Sequence, residues 1–172
     1  MKNLLIFILC FTALYSHAQI DSTTPPYKRF PTLPPLQILL GDSTTIYTKT
    51  NLPKKQVLIM VFSPDCNHCQ QTAEELLKYK EALKNIHIVM TTMYSISEIN
   101  TFSKKYKLNT LPNLVIGKDI YFLLPPFYGI KSLPYMAFYK KNGNLIMGFE
   151  GAMSIPKVIE IFIKNSAKAK RG

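Results

Sequence analysis

The order of periodic segments predicts an α/β fold, a central mixed β-sheet flanked by helices with a β-hairpin extension at its N-terminal end. Three observations carry this expectation. Gln56 to Phe62 is an unbroken apolar run of strand length, the pattern of a strand buried on both faces. From Cys69 to Leu83, apolar Ala73, Leu76, Leu77 and Ala82 fall at helical spacing among Glu74, Glu75, Lys78, Lys80 and Glu81. Further on, the β-rich runs Tyr135 to Tyr139 and Asn144 to Phe149 are joined by Lys140-Lys141-Asn142-Gly143, whose Asn-Gly pair offers the positive φ angles of a tight hairpin.

The remaining elements follow along the chain. Met1-Lys2-Asn3, the apolar stretch Leu4 to Tyr15 and the small residues around Ser16-His17-Ala18 have the pattern of a cleaved export signal covering 1–18. The alternative is an uncleaved membrane anchor. Residues 19–35 carry Pro25, Pro26, Pro31, Pro34 and Pro35, which predicts an extended tether or clasp with little capacity for helix. The domain proper is expected over 36–167, with 168–172 a basic tail. It opens with Leu36 to Leu40 and Thr45 to Thr48 flanking Gly41-Asp42-Ser43, a hairpin pattern. Ile86 to Thr91 reads as a second buried strand, and Ser95 to Tyr106 as a helix started by Ser95 or Ser97. Asn113 to Ile116 is a candidate short strand, Ile120 to Tyr128 a short apolar helix interrupted by Pro125 and Pro126. The last helix opens near Pro156 with Val158, Ile159, Phe162 and Ile163 on one face. Strand and helix alternate through the middle of this order, which implies a largely parallel core sheet.

With 172 residues, 47% of them apolar, the chain is long enough for one domain with a continuous core. Its 21 Lys and Arg against 10 Asp and Glu give a formal charge of +11, which taken alone suggests nucleic acid, anionic lipid or an acidic partner. Export removes nucleic acid from that group. The scattered lysines then read as a solvated basic face capable of weak association with an anionic membrane surface.

Loss of residues 1–18 takes Cys10 and His17 with it. The mature chain then holds two cysteines, Cys66 and Cys69, and two histidines, His68 and His87. That is too few for a disulfide scaffold, and a zinc site wants about four ligands. His87, inside Ile86-His87-Ile88, is expected to be a strand histidine with a local hydrogen bond. What remains is Cys66-Asn67-His68-Cys69, placed where a buried strand ends and a helix begins. There the first sulfur meets unpaired helix N–H groups that stabilise a thiolate. One helical turn brings the sulfurs to bonding range, so Cys66 can attack a disulfide and Cys69 can resolve the mixed disulfide. Three neighbours would tune the pair. His68 and Asn67 lie between the sulfurs, and a protonated His68 favours the Cys66 thiolate; Asp65 opposes it, because a carboxylate disfavours a second negative charge.

The run Val57-Leu-Ile-Met-Val-Phe-Ser-Pro-Asp-Cys66-Asn-His-Cys69, together with Tyr128-Gly-Ile-Lys-Ser-Leu-Pro134-Tyr-Met-Ala-Phe-Tyr-Lys-Lys-Asn-Gly143 and Phe149-Glu-Gly151, resembles the thioredoxin superfamily. The preceding hairpin and the insertion around 108–126 make it more similar to the exported TlpA/ResA-like branch. The resemblance implies that Pro134 is cis and faces the cysteines, with Leu133 offering backbone hydrogen bonds to a substrate chain. It also implies no bound cofactor and no metal.

Three departures stand against the family pattern. Asp65 replaces the usual Trp, Met60 stands where thioredoxins carry a buried acid, and Thr72 stands where ResA-like proteins carry one. The proton acceptor for Cys69 is therefore left among Glu74, Glu75 and solvent.

Three functions are compatible with these residues. The first is an exported, periplasmic thiol–disulfide oxidoreductase acting on protein thiols or disulfides, reducing in direction and recharged by a membrane electron donor. The second is a non-catalytic thioredoxin-like adaptor in the cell envelope, which the missing acids favour. The third, a thiol peroxidase, lacks the cationic donors that a peroxide needs, since the only arginines are Arg29 and Arg171.

Overall fold

The computed structural model describes residues 24–169. The expected export signal and the end of the basic tail lie outside the described residues. Among the described residues no helix is long and apolar enough to cross a membrane.

Seven strands form one mixed sheet: β1 (Gln37–Leu40), β2 (Ile46–Thr48), β3 (Gln56–Val61), β4 (Ile86–Thr92), β5 (Leu114–Asp119), β6 (Tyr135–Tyr139) and β7 (Leu145–Glu150). Their spatial order is β2-β1-β5-β4-β3-β6-β7. The parallel part is β5-β4-β3; β1 and β2 add an antiparallel hairpin at one edge and β6 and β7 another at the opposite edge. Strands β3, β4 and β6 are buried almost throughout because both sheet faces are covered, which is why no in-out alternation marks them in the sequence.

One face is covered by helices. Leu58, Met60 and Phe62 point there, against Ala73 and Leu76 of α2 (Asn67–Lys78), Phe102 of α4 (Ile96–Lys105) and Val158 and Phe162 of α6 (Ile155–Ala169). A short α3 (Lys80–Leu83) follows α2 directly. Ser95 starts α4 through a reciprocal capping box with Glu98, the Ser95 hydroxyl accepting the Glu98 N–H and the Glu98 carboxylate the Ser95 N–H.

The opposite face, with Val57, Ile59, Val61 and Val89, is covered mainly by irregular chain. Leu33 and Tyr27 of the proline-rich segment lie on it, with Leu36 just after that segment and Leu124 and Tyr128 of α5 (Leu124–Tyr128). Pro31 and Leu33 exchange backbone hydrogen bonds with Leu145 and Gly143, so this segment clasps the β6–β7 hairpin. It departs from the extended reading at one place: Pro26–Arg29 form a helical turn, α1. Pro26 sits at the first helical position, where its missing N–H has no partner to lose and its fixed φ suits a helix.

The same principle corrects the reading of α5. Pro125 and Pro126 do not interrupt a helix; they lie in its first turn, and the Asp119 carboxylate accepts the Leu124 N–H at 2.8 Å to start it. In the β6–β7 turn only Gly143 adopts positive φ (83°), and a register shift at Phe138/Tyr139 absorbs the rest, so the Asn-Gly pair makes a bulged turn rather than a two-residue one. On α6, Ile155, Val158 and Phe162 are buried, whereas Ile163 is 63% exposed and off the packed face.

Candidate active site

The site forms where β3 ends and α2 begins, at the carboxyl ends of the parallel strands. Cys66 has extended backbone and acts as the N-cap of α2; its sulfur accepts the Cys69 N–H at 3.3 Å. That is one of the orphan donors of the first turn, delivered to the atom on which negative charge would develop. The Cys66 thiol in turn reaches the Leu133 carbonyl at 3.7 Å. Both cysteines are free thiols.

The two sulfurs sit in different surroundings. Cys66 is partly exposed, whereas Cys69 is buried among the core residues of the helical face. Burial, reinforced by the hydrogen bond with Cys66, pushes the Cys69 thiol up to about 12. At neutral pH Cys69 therefore keeps its proton, and Cys66 is the sulfur open to an incoming disulfide.

Opposite the cysteines lies the Leu133–Pro134 peptide bond, which is cis. The loop that carries it is held from β7: the Glu150 carboxylate accepts the backbone N–H groups of Lys131 and Ser132, and the Gly151 N–H donates to the Pro134 carbonyl at 2.8 Å. The two amide donors hold the Glu150 carboxyl below the usual carboxylate range. Leu133 also forms part of a cavity of about 280 Å³, walled by Phe62, Met93, Tyr94, Phe122 and Pro125. Phe122 takes left-handed backbone (φ 53°), uncommon for a bulky side chain, and stands half in solvent at this cavity beside an equally exposed Met93.

The structure thus gathers Cys66, Cys69, Leu133 and Pro134 into one site. Asp65 is adjacent but faces elsewhere: its carboxylate accepts the Tyr94 hydroxyl at 2.9 Å. Asn67 and His68 are exposed on the first turn of α2, where the His68 carbonyl accepts the Thr72 hydroxyl. Met60 and Thr72, which the resemblance sets against acids of the family, are both buried. Of the acceptors left open for Cys69, Glu75 is occupied, since its carboxylate takes the Ile155 N–H of α6 at 2.8 Å. Glu74 is exposed on α2. His87 lies on β4 away from the cysteines, its Nε2 2.8 Å from the Tyr47 hydroxyl.

Sequence reasoning missed Tyr94. The available signal was positional: Thr92-Met93-Tyr94 follows a buried parallel strand, and loops at the carboxyl ends of such strands line the site.

The model of the thioredoxin-like domain family matches residues 46–165. The chain belongs to the thioredoxin-like family. Its fold is similar to that of a secreted disulfide oxidoreductase from Mycobacterium tuberculosis homologous to E. coli DsbE, with 17% identity, 79% of this chain and 98% of that one covered, and a TM-score of 0.62. StoA from Bacillus subtilis matches with 14% identity, coverage of 76% and 98%, and a TM-score of 0.58. A thioredoxin-family thiol:disulfide interchange protein from Chlorobium tepidum matches at 13% identity, covering 77% and 94%, with a TM-score of 0.64. No curated protein matches the chain. At these identities the structural likenesses establish the thioredoxin-like fold, and the geometry above has to carry the chemistry.

Proposed function

We propose that this thioredoxin-like protein is a thiol–disulfide oxidoreductase in which Cys66 is the nucleophile and Cys69 the resolving thiol. The observation that carries the reading is the contrast between the two sulfurs, one partly exposed at a helix N-terminus and one fully buried beneath it. In the reducing direction the Cys66 thiolate attacks a substrate disulfide, displacing one substrate sulfur as a thiolate. Cys69 then surrenders its proton and attacks Cys66, which releases the second substrate thiol and leaves the Cys66–Cys69 disulfide.

Protein substrates fit the surroundings of Cys66. The Leu133 carbonyl, within reach of that sulfur, can accept a hydrogen bond from an extended chain. The apolar cavity bounded by Leu133, Met93 and Phe122 can take a large apolar side chain of the same segment. The direction we assign is reduction, which the resemblance to the exported TlpA/ResA-like branch supports.

The N-terminal pattern supports export, to a periplasm or equivalent compartment, and the exported setting calls for a membrane electron donor to recharge the dithiol. The DsbE-like relative is itself described as secreted. Replacement of Cys66 by Ser should abolish reduction of insulin disulfides by the prereduced protein; retained reduction would remove the assignment. The adaptor reading keeps one supporting observation, the burial of Met60 and Thr72 where proton-accepting acids would stand. A Cys66–Cys69 pair that fails to cycle between dithiol and disulfide would favour it.

A further inference from the structure

A closed ring of hydrogen bonds lies just before the nucleophile. The Asp65 N–H donates to Ser63 Oγ at 3.3 Å, Ser63 Oγ donates to the Tyr94 hydroxyl at 3.1 Å, and that hydroxyl donates to Asp65 Oδ2 at 2.9 Å. Each hydroxyl accepts once and donates once, so the ring has a direction and terminates on the carboxylate. The Cys66 N–H meanwhile turns back onto the Ser63 carbonyl at 3.2 Å. Tyr94 comes from the loop between β4 and α4, far from this turn in sequence, and ties it to the neighbouring strand.

The ring bears on the thiol through charge. A carboxylate on the residue before a nucleophilic sulfur opposes thiolate formation, more strongly the closer and freer it is. In the structure the partners of the Cys66 sulfur are the Leu133 carbonyl and the Cys69 N–H, while Asp65 Oδ2 is engaged with Tyr94. The other titratable groups of the segments around Cys66 are His68 and Cys69 on α2 and Lys131 with its Glu150 clamp. No hydrogen bond or ion pair to Asp65 from these groups occurs among the described contacts.

We propose that Tyr94 is a positioning residue for Cys66, binding the Asp65 carboxylate with its hydroxyl so that this charge opposes the Cys66 thiolate less than a free carboxylate would. Tyr94 acts through Asp65 and touches neither the sulfur nor the substrate in this role. The proposal rests on the reading of Cys66 as the nucleophile.

The test measures the rate of Cys66 alkylation by iodoacetamide at pH 7, which reports thiolate independently of any exchange activity. Three prereduced full-chain variants are compared with the parent: Tyr94→Phe, Asp65→Asn and the double variant. Tyr94→Phe frees the carboxylate and should slow alkylation by about threefold, while Asp65→Asn removes it and should speed alkylation by a similar factor. The double variant should match Asp65→Asn, since without the carboxylate the tyrosine hydroxyl has nothing left to hold. Equilibria with glutathione should move in step, with Tyr94→Phe the more reducing.

A Tyr94→Phe effect that persists unchanged in the Asp65→Asn background would overturn the proposal, because it would mark a purely structural role. So would an unchanged rate in Tyr94→Phe. If Tyr94→Phe does not fold, Asp65→Asn alone decides against the proposal by leaving the rate unaltered. Insulin reduction by the same proteins separates the two claims: correct alkylation shifts in a protein that reduces nothing would support the positioning role and overturn the functional reading.

Discussion

The Glu75 carboxylate, projecting from the middle of α2, accepts the backbone N–H of Ile155 at the start of α6, 2.8 Å away and 80 residues along the chain. The helix that carries the cysteines is thereby fastened to the helix that closes the same sheet face. An acid in the place of an N-cap satisfies one orphan amide and complements the positive end of the helix.

Glu75→Ala should therefore lower stability by about 1 kcal/mol, the ordinary cost of losing a cap. Reversible denaturant unfolding measures it. The initial rate of insulin reduction, taken well below the unfolding midpoint, should be unchanged. A large loss of rate in the folded variant would instead make Glu75 the proton acceptor for Cys69.

Glu150 performs a related task at the other side of the site, gripping two amides of the loop that carries Leu133. Its carboxyl is held below the ordinary range by the Lys131 and Ser132 N–H groups, so the clamp is fully present above the ordinary carboxylate pKa and is lost as pH falls through the depressed value. Glu150→Ala should raise KM for a disulfide-bonded protein substrate several-fold, about 1 kcal/mol of binding, with the rate of Cys66 alkylation unaffected. Faster hydrogen exchange at Lys131 and Ser132 would locate the change; unaltered exchange and KM would contradict it.

The buried contact between Tyr47 and His87 gives a second pH dependence, distant from the cysteines. Burial, with Lys55 nearby, pushes the His87 imidazole below its ordinary 6.5. An unfolded chain binds this proton before the folded one does, so the contribution to stability is present above pH 6.5 and declines as pH falls toward the folded value. Denaturation midpoints should drop between pH 7 and pH 5, and the drop should be smaller in His87→Phe. An identical slope in the variant would contradict the assignment.

Packing on the other sheet face is tested at Gly148 on β7. A Cβ there would run into the Tyr135 hydroxyl, which lies over the glycine from the paired strand β6. Gly148→Ala should cost about 1–3 kcal/mol, the usual penalty for overpacking, and Tyr135→Phe in the same chain should recover much of it. Additive losses would show that the hydroxyl is not the obstacle.

Much of this architecture could be read from local pattern. Gln56 to Phe62 and Ile86 to Thr91 announced the central strands because burial on both faces leaves them mostly apolar. Cys66-x-x-Cys69 was legible as a site because its spacing at a strand–helix junction has a chemical meaning, whereas Leu133-Pro134 was legible only through the family resemblance. The helical turn at Pro26–Arg29 was not, since the prolines that forbid a helix interior also suit a helix start. Ile163 looked like a core residue by helical spacing, but the packed face of α6 follows Ile155, Val158 and Phe162 and leaves it in solvent. Tyr94 and Glu75 escaped for a further reason. Their partners, Asp65 and Ile155, come from other elements, and only the assembled sheet brings those elements together.

The central claim is a reversible Cys66–Cys69 couple poised for reduction. The direct measurement equilibrates the protein across a series of glutathione ratios and counts free thiols by alkylation and mass, which suits a chain without Trp. The account predicts one two-electron transition with a potential near the thioredoxin value of about −270 mV. A potential near about −120 mV, or a pair that does not titrate at all, would contradict it.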